Sequence, residues 1–279
     1  MRNYFCGWYF RCQSNRQTLA IIPSFHKTRE TNFCTIQIIS DTEAFQVQFP
    51  YSDFRKNGDH IIIGENRFGK DGISLKVQTS DLCANGSLHF GSFTLIRYDI
   101  MGPFRYIPFM QCRHSVFSMH HPVNGEIIIN DTHYLFHNAT GYIEGDRGYS
   151  FPREYVWTQC SYPEGSLMLS VADIPFGILR FTGVIGIVNL KGKEYRLATY
   201  LGAKAVKISP EEIIVRQGSY TLIVKPKELS GHPLRAPVSG AMNRTIHEHP
   251  SCRVYYLFED KGVPLLELNA PNAAFEYEY

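Results

Sequence analysis

Glu212–Val224 reads EIIVRQGSYTLIV, two runs of β-branched and apolar residues on either side of Gln217-Gly218-Ser219. Val, Ile, Thr and Tyr suit a pleated, half-buried surface, and a Gly-Ser pair between two such runs marks a tight hairpin. Upstream, Asn189-Leu-Lys-Gly-Lys193 separates two apolar runs in the same way. Working outward, runs of this kind recur with Gly, Asn, Asp and Pro between them. Before the hairpins they are Leu19–Ile22, Cys34–Ile39, Phe45–Phe49, His60–Ile63, Ile73–Val77, Leu88–Ile96, Val116–Met119, Glu126–Ile129, Tyr134–His137, Val156–Cys160, Ser166–Val171 and Tyr195–Leu201. After them come Arg253–Phe258 and Leu265–Leu268. No stretch sustains a helical period. Roughly sixteen short strands in an antiparallel meander predict an all-β protein, either one very large barrel or two consecutive barrels of about eight strands, a size that just holds one small ligand.

At 279 residues the chain exceeds a typical domain, which fits either arrangement. Gly, Asn and Asp are dense over Asn130–Tyr149, and this predicts a division into barrels at 1–135 and 136–279 that share an intimate interface. Aromatic residues make up 14%, mainly 19 Phe and 17 Tyr, enough to line an apolar pocket as well as to pack cores.

A formal charge of +2 with no basic run excludes a polyanionic partner such as nucleic acid. The N-terminal MRNYFCGWYFRC lacks the unbroken apolar core of a signal peptide, so a cytosolic protein is expected. The most apolar stretch, Ile178–Leu190, is interrupted by Arg180 and three glycines, so no integral membrane segment is expected. Seven widely spread cysteines, an odd number, read as free thiols rather than a disulfide framework. Nucleophile elbow, P-loop and dinucleotide motifs are absent.

The densest chemical signal is Gly141–Cys160, GYIEGDRGYSFPREYVWTQC. Glu144 and Asp146 lie two apart, so an extended backbone turns both carboxylates to one side. The surrounding glycines also allow a turn organised by Asp146 and Ser150, with Arg147 in solvent. Tyr155, Trp157 and Gln159 alternate and share a face, a flat wall and a hydrogen-bonding group on one reading, ordinary packing on the other. In Cys112–His121, extension sends Arg113, Met119 and His121 one way and His114 and His120 the other. The spacing of Cys112, His114, His120 and His121 is that of some zinc ligands, but four convergent ligands are not evident, so no metal is expected. Arg97, Asp99 and Arg113 are expected in a charge network.

Tyr4–Arg11 (YFCGWYFR), Leu19–Pro23, the Gln37 strand, Arg97–Phe104, Cys112–His114, GYIEGDRGYSFPREYVWTQC, Tyr195–Tyr200 and Arg244–Ile246 together resemble the tocopherol cyclase-like family, in order and over nearly the whole chain. The resemblance implies two lipocalin-like β-barrels packed together, as in carotenoid hydratase-type proteins. It implies an intramolecular lyase or isomerase that closes a prenylated hydroquinone to a chromanol without a cofactor, or a related hydration or isomerisation. Such chemistry needs an acid to protonate the alkene, a stabilised cation, an acceptor for the phenol proton and exclusion of water. By position the match makes Asp146 or Glu144 the proton donor, Trp157 and Trp8 aromatic walls, and Gln159 or His114 phenol-orienting groups, with Arg113 and Tyr155 beside the substrate. The partner implied is a small apolar prenyl-type ligand, reached through peripheral membrane contact at most. Two departures stand out: Cys6 where the family carries an acid before Gly-Trp-Tyr-Phe, and Pro23-Ser24 for Pro-Gly. The alternative from another class is a lipocalin-like carrier that holds an apolar molecule without changing it.

Overall fold

The structure, a computed structural model, describes residues 3–108, 110–176, 179–227 and 231–279. Its regular structure is almost entirely antiparallel strand, with helix confined to short 3-10 turns such as Tyr51–Asp53. Two compact units form. One comprises Met1–Leu95, His114–Ser150 and Pro237–Met242, the other Ile96–Arg113, Phe151–Ala236 and Asn243–Tyr279. The division expected at 135/136 therefore moves to the other side of Gly141–Ser150. Residue 135 lies inside a continuous strand, because pairing across the sheet rather than local Gly and Asn content decides where the chain turns.

The first unit holds β1 (Tyr4–Gln13), β2 (Thr18–Lys27), β3 (Asn32–Ser40), β4 (Ala44–Pro50), β5 (Phe54–Asn57), β6 (His60–Ile63), β7 (Asn66–Gly69), β8 (Gly72–Gln78), β9 (Cys83–Phe90), β10 (Cys112–Ile129) and β11 (Thr132–Gly148). They hydrogen-bond in the order β4-β3-β2-β1-β11-β10-β9-β8-β7-β6-β5, so the last strand closes against the first. Phe10, Cys12, Leu19, Ile21, Ile36, Ile38, Phe68, Phe136 and Ile143 fill the core of this curled sheet. Burying each large apolar side chain contributes about 1.5–3 kcal/mol.

The run read as Leu88–Ile96 stops as a strand at Phe90. Gly91 packs under the Pro122 ring, which has no N–H for the ladder; Gly91 N–H donates to Pro122 O at 2.8 Å, and beyond it, among the described residues, only Thr94 bonds back to β10, through His120 O and Met119 N–H.

The second unit holds β12 (Tyr155–Tyr162), β13 (Gly165–Phe176), β14 (Leu179–Leu190), β15 (Lys193–Ala198), β16 (Lys204–Ser209), β17 (Glu212–Gln217), β18 (Tyr220–Lys227), β19 (His232–Val238), β20 (Ala241–Asp260) and β21 (Val263–Tyr277). The order is β15-β14-β13-β12-β21-β20-β18-β17-β16, with β19 pairing β20. The opening hairpin forms as the sequence predicts: β17 and β18 pair from Ile213↔Val224 to Gln217↔Tyr220, and Gly218 takes φ +57°, a value that favours glycine at the first central position of the turn. Gln217 then spans the two ends of the sheet. Its Nε2 donates to Arg196 O and its Oε1 accepts from Ala198 N–H, both at 2.9 Å.

The charge network read around Arg97, Asp99 and Arg113 centres instead on Arg196. Its guanidinium donates to Asp99 O, Tyr98 O, Tyr200 OH and Glu194 Oε1, and lies 3.7 Å from the Tyr98 ring centre. A planar donor fork on a sheet strand can collect backbone carbonyls that a short Asp side chain cannot.

Gly165 carries the tightest backbone contact in this unit. A Cβ there would stand 1.7 Å from Asn189 O and 2.7 Å from Asn189 C, in the neighbouring strand. Gly165→Ala is therefore expected to push β13 and β14 apart at the hairpin and to cost about 1–3 kcal/mol, read as a lowered denaturant midpoint at constant slope.

Candidate functional site

Tyr142, Glu144 and Asp146 alternate along β11 with Ile143 and Gly145. Gly141–Gly148 is extended strand rather than turn, so period two places the three polar side chains on one face and Ile143 in the core on the other. Pairing with β1 sets their neighbours: Asp146 opposite Gly7, Gly145 opposite Trp8, Glu144 opposite Tyr9 and Ile143 opposite Phe10. The face with the carboxylates thus carries Gly7 and Tyr9. Glu144 and Tyr9 are both buried.

His114, in the first turnless residues of β10, completes the cluster. Its Nδ1 lies 3.1 Å from Asp146 Oδ1 and donates to it, and its Nε2 lies 3.2 Å from Glu144 Oε2, close enough for an ion pair though off the line of a good hydrogen bond. Tyr142 OH donates to the same Glu144 oxygen at 2.5 Å. Burial alone would push the His114 imidazole down. The charges of Glu144 and then Asp146, with their hydrogen bonds, outweigh it and hold its pKa well above the ordinary histidine value. The face therefore stores a proton between two carboxylates. Tyr142 is pushed the opposite way from ionisation, first by burial and then by the Glu144 charge, and stays a donor.

Each of His114, Glu144 and Asp146 offers an atom within 4.8 Å of the others, a spacing a cation could use. Metal binding needs a neutral imidazole. Here both ring nitrogens face carboxylate oxygens, an arrangement that keeps a proton on the ring. Cys112 and His120 do not join this cluster, and His121 lies apart from it: its ring packs 4.5 Å from Phe90 and 4.7 Å from Phe93, and its Nδ1 meets Ser118 Oγ at 2.9 Å.

Trp8 does not stand beside the carboxylates, the place the resemblance implied for it. Opposite Gly145 in the ladder, it turns to the core side of β1, where it lies 6.4 Å from the Phe25 ring. One residue of alternation separates the two faces, and Tyr9 takes the position next to Glu144. Cys6 shares the side of Trp8. Burial pushes its thiol up to about 12, with Arg147 pulling more weakly the other way. An acid at position 6 would not have faced the carboxylates.

Arg113 donates Nη2 to Ile107 O at 2.8 Å rather than reaching a carboxylate. Tyr155, Trp157 and Gln159 form a row of their own in the second unit, all buried and alternating with the core residues Val156 and Cys160. Tyr155 OH donates to Glu276 Oε2 at 2.5 Å, Trp157 stands opposite Ser170 and Glu276, and Gln159 Nε2 donates to Ser161 Oγ at 3.3 Å.

Sequence reasoning passed over Tyr142 and Tyr9 as members of the carboxylate face. The alternation Tyr142-x-Glu144-x-Asp146 was a usable signal for the first, while only the β1–β11 register reveals the second.

No family model matches the chain, and no curated protein does. Solved structures do match over nearly its whole length. CghA in complex with Sch210972 superposes with a TM-score of 0.63 at 8% identity, covering 99% of this chain and 88% of that one. A provisionally assigned AttH of Nitrosomonas europaea gives 0.57 at 11% identity, covering 100% and 93%. Kievitone hydratase of Nectria haematococca gives 0.54 at 9% identity, covering 99% and 89%. These are lipocalin-like barrel proteins, and this chain has their fold. No helix among the described residues is long and apolar enough to cross a membrane.

Proposed function

We propose that this protein is a cofactor-independent, acid-driven cyclase of the tocopherol cyclase-like kind, or a related hydratase or isomerase, acting on a prenylated quinol or similar prenyl-bearing apolar substrate. The observation that carries the reading is the cluster in which the His114 ring nitrogens lie 3.2 Å from Glu144 Oε2 and 3.1 Å from Asp146 Oδ1, with Glu144 buried. A barrel that only carries an apolar molecule has no use for a charged triad in a dry setting, where each unpaired charge costs several kcal/mol. Protonation of a trisubstituted alkene does need such a store, kept away from bulk water that would trap the cation.

Within this proposal each member of the cluster has a role. Asp146, the most exposed member of the triad, hands on the proton it receives from His114 Nδ1, and Glu144, tied to Tyr142 OH, fixes the imidazolium in place. Tyr155, Trp157 and Gln159 form a separate buried row in the second unit and are given no part in this step.

The test is incubation of the purified protein with prenylated quinols and polyenes under anaerobic conditions, followed by extraction and chromatography with mass detection. A product of unchanged mass and shifted retention, or of mass raised by one water, is expected. Tight stoichiometric retention of unchanged ligand would make the protein a carrier instead.

A further inference from the structure

The polar face does not end at Asp146. Gly7 stands opposite Asp146 in β11 and opposite Ser24 in β2, and Ser24 stands opposite Thr35 in β3, so one row crosses four strands. Ser24 Oγ lies 2.8 Å from His26 Nε2 and 2.6 Å from Thr35 Oγ1, and His26 Nδ1 lies 3.2 Å from Gly240 O. A carbonyl can only accept, so the ring hydrogen sits on Nδ1 and Nε2 is left to accept from the Ser24 hydroxyl. Thr35 then donates to Ser24 Oγ. All three side chains are buried, and the His26 ring stacks on Phe33 at 4.7 Å. Burial pushes the imidazole down to about 4, with the Gly240 carbonyl partly offsetting it, so the ring is neutral and a base.

Between these two poles Gly7 carries no side chain. A Cβ at Gly7 would meet Ser24 Cβ at 3.4 Å and Pro23 O at 3.9 Å and no other atom within 4 Å. Strands spaced about 4.8 Å put Asp146 and Ser24 about 10 Å apart at the backbone, the length of a flat ring with the first branch of a prenyl chain.

We infer that the substrate lies over Gly7 with its reacting hydroxyl on Ser24, and that Ser24 passes the proton released on ring closure to His26. The inference rests on the acid-driven reading above. The step balances as an isomerisation. The His114 imidazolium passes its Nδ1 proton through Asp146 to one alkene carbon and is left neutral, the π bond breaks, and the hydroxyl oxygen bonds to the other carbon as an oxonium. That oxonium loses its proton to Ser24 Oγ while the Ser24 proton moves to His26 Nε2. An oxonium is so acidic that a weak base such as a buried imidazole suffices. Exchange with water then removes the proton from His26 and returns one to the triad.

Two substrates separate the poles: a prenylated quinol, and the same compound with its closing hydroxyl methylated, both in D2O. The wild type should close the first and exchange deuterium into the prenyl chain of the second. Ser24→Ala and His26→Asn should slow closure at least ten-fold and leave deuterium exchange within about two-fold, while Ser24→Thr restores closure. Gly7→Val, which meets only ordinary contacts at its Cβ, should keep the thermal midpoint and lose both reactions. Closure at the wild-type rate in Ser24→Ala, His26→Asn and Gly7→Val alike would overturn the inference. Failure of the wild type to exchange deuterium would instead remove the acid-driven reading, and this inference with it.

Discussion

His114→Leu is expected to destabilise the fold by about 3–5 kcal/mol at neutral pH, the usual result of removing one partner from a buried charged cluster. The two carboxylates it leaves behind stay on the same face of β11, opposite Gly7 and Tyr9 of β1, with Glu144 buried. Adding Glu144→Gln or Asp146→Asn to the variant should recover a large part of the loss, and a double-mutant cycle in urea measures how much. The pH dependence has a definite sign. The pKa of His114 is higher in the folded than in the unfolded protein, so the folded state binds the extra proton. Its contribution is complete below about 6.5, the ordinary histidine value, and drains away as pH rises through the folded-state value above it. The gap between wild type and His114→Leu should therefore narrow on the alkaline side. A gap that widens with rising pH would show that His114 is not protonated between its carboxylates.

Asp146→Asn is expected to lower turnover of the alkene substrate by about 10²–10⁴-fold, the range that a positioned general acid supplies. An amide oxygen still accepts from His114 Nδ1, so the ring stays where it is, but the amide has no proton to hand on. The loss should fall on kcat with KM nearly unchanged, since the side chain's shape is kept. Glu144→Gln should cost less. Glu144 stands opposite Tyr9 rather than Gly7, and its Oε2 already accepts from Tyr142 OH. A variant Asp146→Asn that turns over within two-fold of wild type would move the acid role elsewhere. Equal losses in Asp146→Asn and Glu144→Gln would mean the proton is drawn from the pair rather than through one arm of it.

These expectations draw on features of very different legibility. Most strands were readable from runs such as Ile73–Val77 and His60–Ile63, since β-branched residues between turn formers report the pleated backbone directly. Leu88–Ile96 misled because Pro122, more than twenty residues away in the chain, interrupts the ladder it would have joined. The site was half legible. Glu144 and Asp146 on one side of a strand follow from their spacing, and so does the row Tyr155, Trp157 and Gln159. Glycine density at Gly141–Gly148 suggests a turn, but a Cβ at Gly141 would meet the His121 ring and one at Gly145 would meet Gly7 O and the Phe117 ring, so close packing of the strand accounts for both. Ser24-x-His26 holds the same two-residue spacing, but Phe25–Asn32 reads locally as an ordinary loop rich in polar and charged residues, whereas β2 carries the strand on to Lys27.

By itself, then, the sequence determined the all-β class, the hairpin at Gly218 and the alternation that sorts each strand into two faces. Those are properties of a short extended backbone and need no distant partner. Which face meets which was decided only by the tertiary structure. The pairing of β1 with β11 joins residues about 140 positions apart and sets Gly7 against Asp146, Tyr9 against Glu144 and Trp8 on the other side. A shift of one residue in that register would reverse every one of those assignments, and local pattern carries no information about it.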